Sequence, residues 1–105
     1  MTPELVAHLA VFRIELLSEG KEFSIVARDN CFALVHTASP GAPGIGSSGL
    51  MTENGLAYLV WREGQPYLVG KGSDAPASAN EVESIRSFSE NLKTALRELA
   101  TDEHR

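Results

Sequence analysis

Four groupings of residues in this chain have types and spacings that invite a chemical reading. Gly44-Ile45-Gly46-Ser47-Ser48-Gly49 matches G-x-G-x-x-G letter for letter. That pattern holds a dinucleotide's phosphates only where it opens a helix, whose free N–H groups and dipole face the anion. Here Leu50-Met51-Thr52 and Asn54-Gly55 follow, a short strand and a hairpin turn. A kinase-type glycine loop does lie between strands, but no Ala-x-Lys sequence, catalytic Asp loop or sufficient length accompanies this one. Within a Gly/Pro/Ser tract running from Thr37 to Gly49, the match reads as a long flexible connection.

Cys31 and His36 would be a thiol and its base, but five residues apart on one strand their side chains point to opposite faces. His36 then sits at the rim of an apolar face beside Phe23, and Cys31 serves as a small hydrophobe. Glu4 and His8, four apart on a helix, offer two metal ligands, and Glu15 and Glu19 extend the same polar stripe. Two ligands are too few, and the closing helix supplies no inward acid or histidine to complete the set. The tract's serines with His36 and Asp29 or Asp74 spell a hydrolase triad only on paper, since no nucleophile elbow or oxyanion-hole sequence positions them. The sequence therefore predicts no catalytic, cofactor or metal site and a protein that is not an enzyme.

The elements that would carry these residues are more legible than the chemistry. Leu56 to Val69 is two strand-like runs joined at Glu63-Gly64, a hairpin turn in which glycine accepts positive φ. A two-residue loop pairs Trp61 with Pro66, Val60 with Tyr67, Leu59 with Leu68 and Tyr58 with Val69. Both faces come out apolar, which places this hairpin inside a sheet with cover on each side. Phe23 to Arg28 and Cys31 to His36 form a second hairpin about Asp29-Asn30, with Phe23, Ile25, Ala27, Phe32 and Leu34 on one face and Ser24 and Arg28 on the other. The bulky face is expected to meet the first helix.

That helix is predicted over roughly 3–18, capped by Thr2, with Pro3 in its first turn and Gly20 ending it. Leu5, Leu9, Phe12 and Leu16 share one side, and further apolar residues continue around most of the cylinder. Leu50-Met51-Thr52 gives one more short strand, turned at Asn54-Gly55 into the central hairpin. Ser78-Ala79-Asn80-Glu81 fits a capping box that opens a closing helix to about Ala100, with a one-sided stripe of Val82, Ile85, Phe88, Leu92, Leu96 and Leu99. The expected fold is a single α+β domain over residues 1–105: a five-stranded antiparallel sheet of two hairpin units, with N- and C-terminal helices on one face, in the order αβββββα.

With 105 residues, 43% hydrophobic and 22% charged, the composition is that of a globular protein. A net charge of −5 works against nucleic acid and anionic lipid surfaces as partners. The start of the chain shows no basic leader and no long apolar run, so neither a signal peptide nor a membrane span is expected. A lone cysteine suits a reducing, cytoplasmic setting.

One chain has too few covering elements for its apolar surface. Met51, Tyr58, Val60, Tyr67 and Val69 form the face expected to be covered by a partner, most simply a second copy around a two-fold axis, with the surplus apolar face of the first helix as the alternative contact. The expected function is a dimerising protein-interaction module, an adaptor, chaperone or immunity-type binder, without cofactor. The rival is a small-molecule-binding or hydrolytic domain in which residues 38–49 close over a ligand near His36. No motif assigns the sequence to a family.

Overall fold

The computed structural model describes residues 2–36 and 44–103. Helix α1 (Pro3–Val11) leads into seven strands: β1 (Glu15–Glu19), β2 (Phe23–Arg28), β3 (Cys31–His36), β4 (Gly44–Thr52), β5 (Gly55–Arg62), β6 (Gln65–Gly70) and β7 (Ser73–Pro76). Helix α2 (Ala79–Glu103) closes the chain. The strands form one antiparallel meander in sequence order, β1 to β7. The α+β class and the terminal helices are as expected, but the sheet has seven strands rather than five.

The first extra strand comes from the stretch expected to extend the first helix to residue 18. Thr2 caps α1, its Oγ1 accepting from the Leu5 N–H at 3.2 Å. The helix then stops at Val11, because Arg13 adopts φ 62° and donates its N–H to the Ala10 carbonyl at 2.9 Å while Ile14 N–H reaches back to Leu9 at 3.0 Å. This is a Schellman closure with arginine in the left-handed position usually held by glycine. Leu9 and Ile14, each 1% exposed, supply the apolar contact that accompanies such a turn. β1 follows, pairing Glu15 with Ala27 and Glu19 with Ser24 around a bulge near Leu17. Gly20 ends no helix; it opens the β1–β2 loop, its N–H donating to Phe23 O at 3.0 Å.

The second extra strand is β7, which follows the central hairpin and pairs Gly70 with Ser73 and Leu68 with Ala75. A further correction concerns the tract read as a loop. Residues 44–49 are the first two-thirds of β4, paired from His36↔Gly44 to Cys31↔Leu50 with a register shift between Ala33 and Val35. Its glycines answer to crowding: a Cβ on Gly49 would lie 1.9 Å from the Ala57 carbonyl oxygen. The rest of that tract, residues 37–43, lies outside the described residues.

The turns at Asp29-Asn30 and Glu63-Gly64 and the registers of both predicted hairpins are as the sequence indicates, with Asp29, Glu63 and Gly64 at positive φ. The β4–β5 turn falls one residue earlier than expected, on Glu53-Asn54, with Thr52 paired to Gly55. At the start of α2, Ser78 Oγ accepts from Glu81 N–H at 3.1 Å and Glu81 Oε1 from Ser78 N–H at 2.8 Å, the expected capping box.

Both helices lie on one face of the sheet, but not the expected one. The buried core joins Leu5, Leu9 and Ile14 to Ile85, Phe88, Leu92 and Leu96 over Val26, Cys31, Ala33 and Val35. The register places Phe23, Ile25, Phe32 and Leu34 on the opposite face, so they do not lie beneath α1. Leu59 and Leu68 do belong to the helix side, as predicted. Small and β-branched groups let the helix layer approach the β2–β3 hairpin closely, whereas the bulky set would hold it away.

Candidate functional site

Away from the helices the sheet presents a nearly continuous apolar surface. Cross-strand pairing puts Ile25 beside Leu34, Met51 beside Leu56, Tyr58 beside Val69 and Val60 beside Tyr67 on this side. The five residues singled out from the sequence thus share one face and are half-buried. Joining them are Phe23, Ile25 and Leu34, which the sequence alone predicts beneath the first helix. Both faces of the β2–β3 hairpin are largely apolar, so alternation alone did not say which would receive the helices; the smaller volumes at Ala33 and Cys31 were the available clue.

The middle of this face is built around glycine. Phe32 lies opposite Gly49, which lies opposite Tyr58, and the two aromatic rings meet edge to face at 5.2 Å between centroids. Phe32 is fully buried, while Phe23 at the margin of the face is 40% exposed. His36 stands edge-on to Phe23 at 6.4 Å and covers Gly46, where an added Cβ would fall 2.8 Å from the imidazole Nε2.

Charge is confined to the borders. Arg62 stacks 5.0 Å over the Tyr67 ring and grips Asp74 with two hydrogen bonds of 3.1 and 3.0 Å. Glu15 flanks the far side, on β1. The sheet's edges are poor templates for strand addition, since β1 carries a bulge and β7 is four residues long and ends in Pro76.

The helix side carries a groove of about 880 Å³, between the early turns of α2 and the strand ends below them. Cys31, Leu50, Ala57, Leu68, Ala75 and Phe88 line its apolar part. Burial pushes the Cys31 thiol above its ordinary pKa, the nearby Arg28 opposing that shift and Asp29 adding to it. Cys31 and His36 lie on opposite faces, as their spacing predicts.

The other chemical groupings do not converge. The G-x-G-x-x-G run is extended strand and opens no helix. Of the supposed polar stripe, Glu4 and His8 are on α1, but Glu15 and Glu19 are on β1. His8 Nε2 lies 3.8 Å from Glu98 Oε2. Among the described residues no three His, Cys, Asp or Glu side chains gather as a metal-binding set. No described helix is long and apolar enough to cross a membrane.

A seven-stranded antiparallel meander with two helices on one side and an apolar face on the other defines the chain as a two-layer α+β protein whose described helices cover one side of the sheet. No protein-family model matches the chain, and no curated protein or solved structure matches it.

Proposed function

We propose that this protein is a non-enzymatic interaction module that binds a second copy of itself through the open face of the sheet. The observation carrying this reading is the apolar surface from Phe23 and Ile25 through Leu34 to Tyr58, Val60 and Val69, with charges only at its borders. Phe23 is exposed and the others are half-buried, and a contiguous apolar face of this kind is what protein–protein contacts use. Covering one such side chain stabilises by about 1.5–3 kcal/mol. A two-fold arrangement sets like apolar patches together and keeps the acidic charge of each chain at the rim.

Sedimentation equilibrium at micromolar concentration tests it: the expected mass is twice the 11.3 kDa of one chain. Tyr58→Glu or Val60→Glu is expected to give a folded monomer, because each places a charge at the centre of the contact. A compact wild-type monomer at that concentration overturns self-association.

A further inference from the structure

Independently of the open face, we infer that the groove on the helix side binds a monocarboxylate with an apolar body, such as a medium-chain carboxylic acid, with Arg28 receiving the carboxylate. The inference begins with charge. Arg62 is paired with Asp74, and Arg86 with Glu83 and Glu90. Arg28 is half-buried, yet among the described residues no carboxylate stands within ion-pair distance of it. Its Nη1 donates to the Phe12 carbonyl at 3.2 Å and reaches Asn91 Oδ1 only at 3.5 Å, and its guanidinium carbon lies 5.7 Å over the Phe88 ring. The remaining guanidinium donors stay free for a planar anion, the ligand class that arginine's fork fits best.

The groove supplies the rest of the complement. Arg28 stands at one end, and the floor runs past Cys31 and Ala57 to Leu68 and Ala75. From β3 to β7 this path crosses four strand spacings, roughly 19 Å. Ala57 opposite Gly70, and Ala75 opposite Leu68, keep that floor low where a larger residue would fill the space beneath α2. Ser84, Ser87 and Asn80 border it from the helix. An apolar floor with few polar groups at one end is the usual form of a small-ligand site.

The other charged groups at the groove narrow the ligand class. They are Asp29, Glu81 and Glu83, all acidic. Glu83 is held by Arg86, and Glu81 by the Ser78 N–H. With Glu83 offset by Arg86, Arg28 is the one cation lining the groove, enough for a single carboxylate held on its guanidinium, whereas the second charge of a phosphate monoester would meet Asp29 and Glu81 with no cation to balance it.

The test is an amide NMR titration of the full chain with octanoate, octylamine and octanol in parallel. Octanoate is expected to produce saturable shifts at Cys31, Ala57, Leu68, Ala75 and Ser84, with the other two ligands at least tenfold weaker. Arg28→Gln should weaken octanoate binding at least tenfold. Ala75→Leu, on an edge strand where the side chain is exposed, should block the groove with the guanidinium intact, so the test survives if the Arg28 variant does not fold. Overturning results are no saturable shift, equal binding of octylamine or octanol, unchanged binding in either folded variant, or shifts confined to Ile25, Leu34 and Tyr58 on the opposite face.

Discussion

The Phe32 and Tyr58 rings meet edge to face at 5.2 Å with an interplanar angle of 84°, directly across Gly49 on the strand between them. The glycine leaves the gap that the rings fill, and its backbone sits too close to β5 for any side chain. Gly49→Ala would ordinarily gain a few tenths of a kcal/mol by stiffening the unfolded chain. Here the Cβ would be driven to 1.9 Å from the Ala57 oxygen, so a net loss of about 2–3 kcal/mol is expected, a typical overpacking cost or slightly more. A lowered urea midpoint in the variant checks this; an unchanged midpoint would mean that β4 shifts freely.

Gly49 also shows where the sequence stops being readable. Hairpins with local signals, Asp29-Asn30 and Glu63-Gly64, can be placed to the residue because turn geometry and register are set within a few positions. β4 could not be, since Gly-Ile-Gly-Ser-Ser-Gly lacks strand propensity and becomes a strand only through neighbours on β3 and β5. The open face was half legible: its β4–β6 residues followed from the central hairpin, whereas Phe23, Ile25 and Leu34 required knowing which side the helices take. The groove was not legible at all, because Arg28 and Ala75 are brought to it from distant strands.

Arg13 marks the other hidden feature. With φ at 62° it closes α1 in a conformation that costs an L-residue roughly 1 kcal/mol, and its side chain is exposed. Arg13→Gly is expected to raise stability by about 0.5–1 kcal/mol, since glycine accepts this conformation without a Cβ penalty. Thermal unfolding of variant and wild type at equal concentration is the measurement. A destabilised variant would mean that the arginine side chain contributes more than the turn costs.

Cys31 makes stability depend on pH at the alkaline end. Burial raises the folded thiol's pKa above that of the unfolded chain, so the folded state binds its proton more tightly. Below about pH 8.5 both states carry the proton and there is no effect. As pH rises beyond that point the unfolded chain releases its proton first, and stability falls until the folded thiol's own pKa is passed. Urea midpoints at pH 7 and pH 10 should therefore drop further for wild type than for Cys31→Ala, the difference cancelling the contributions of Lys and Tyr. Equal drops would place the thiol in contact with water.

The last prediction separates the two faces of the β2–β3 hairpin. Ile25 and Val26 are neighbours of almost identical chemistry, yet the register sends Ile25 to the open face and Val26, with 0% exposure, into the core beneath the helices. A charge at Val26 has no route to water and no partner, a burden of several kcal/mol that a domain of ordinary stability does not survive. Ile25 is half-buried in the single chain, so a charge there keeps a route to water, and it would be fully buried only in the proposed dimer. Val26→Asp is thus expected to abolish cooperative unfolding and amide dispersion. Ile25→Asp is expected to keep both while sedimenting at the mass of one chain, and Leu34→Glu on the adjacent strand should behave as Ile25→Asp does. The arrangement in which Phe23, Ile25, Phe32 and Leu34 lie beneath α1 makes the opposite forecast, with Ile25→Asp unfolded and Val26→Asp folded. If Ile25→Asp folds but remains a dimer, the contact is displaced from β2 and β3 toward Tyr58, Val60 and Val69, and Val60→Glu alone should dissociate it.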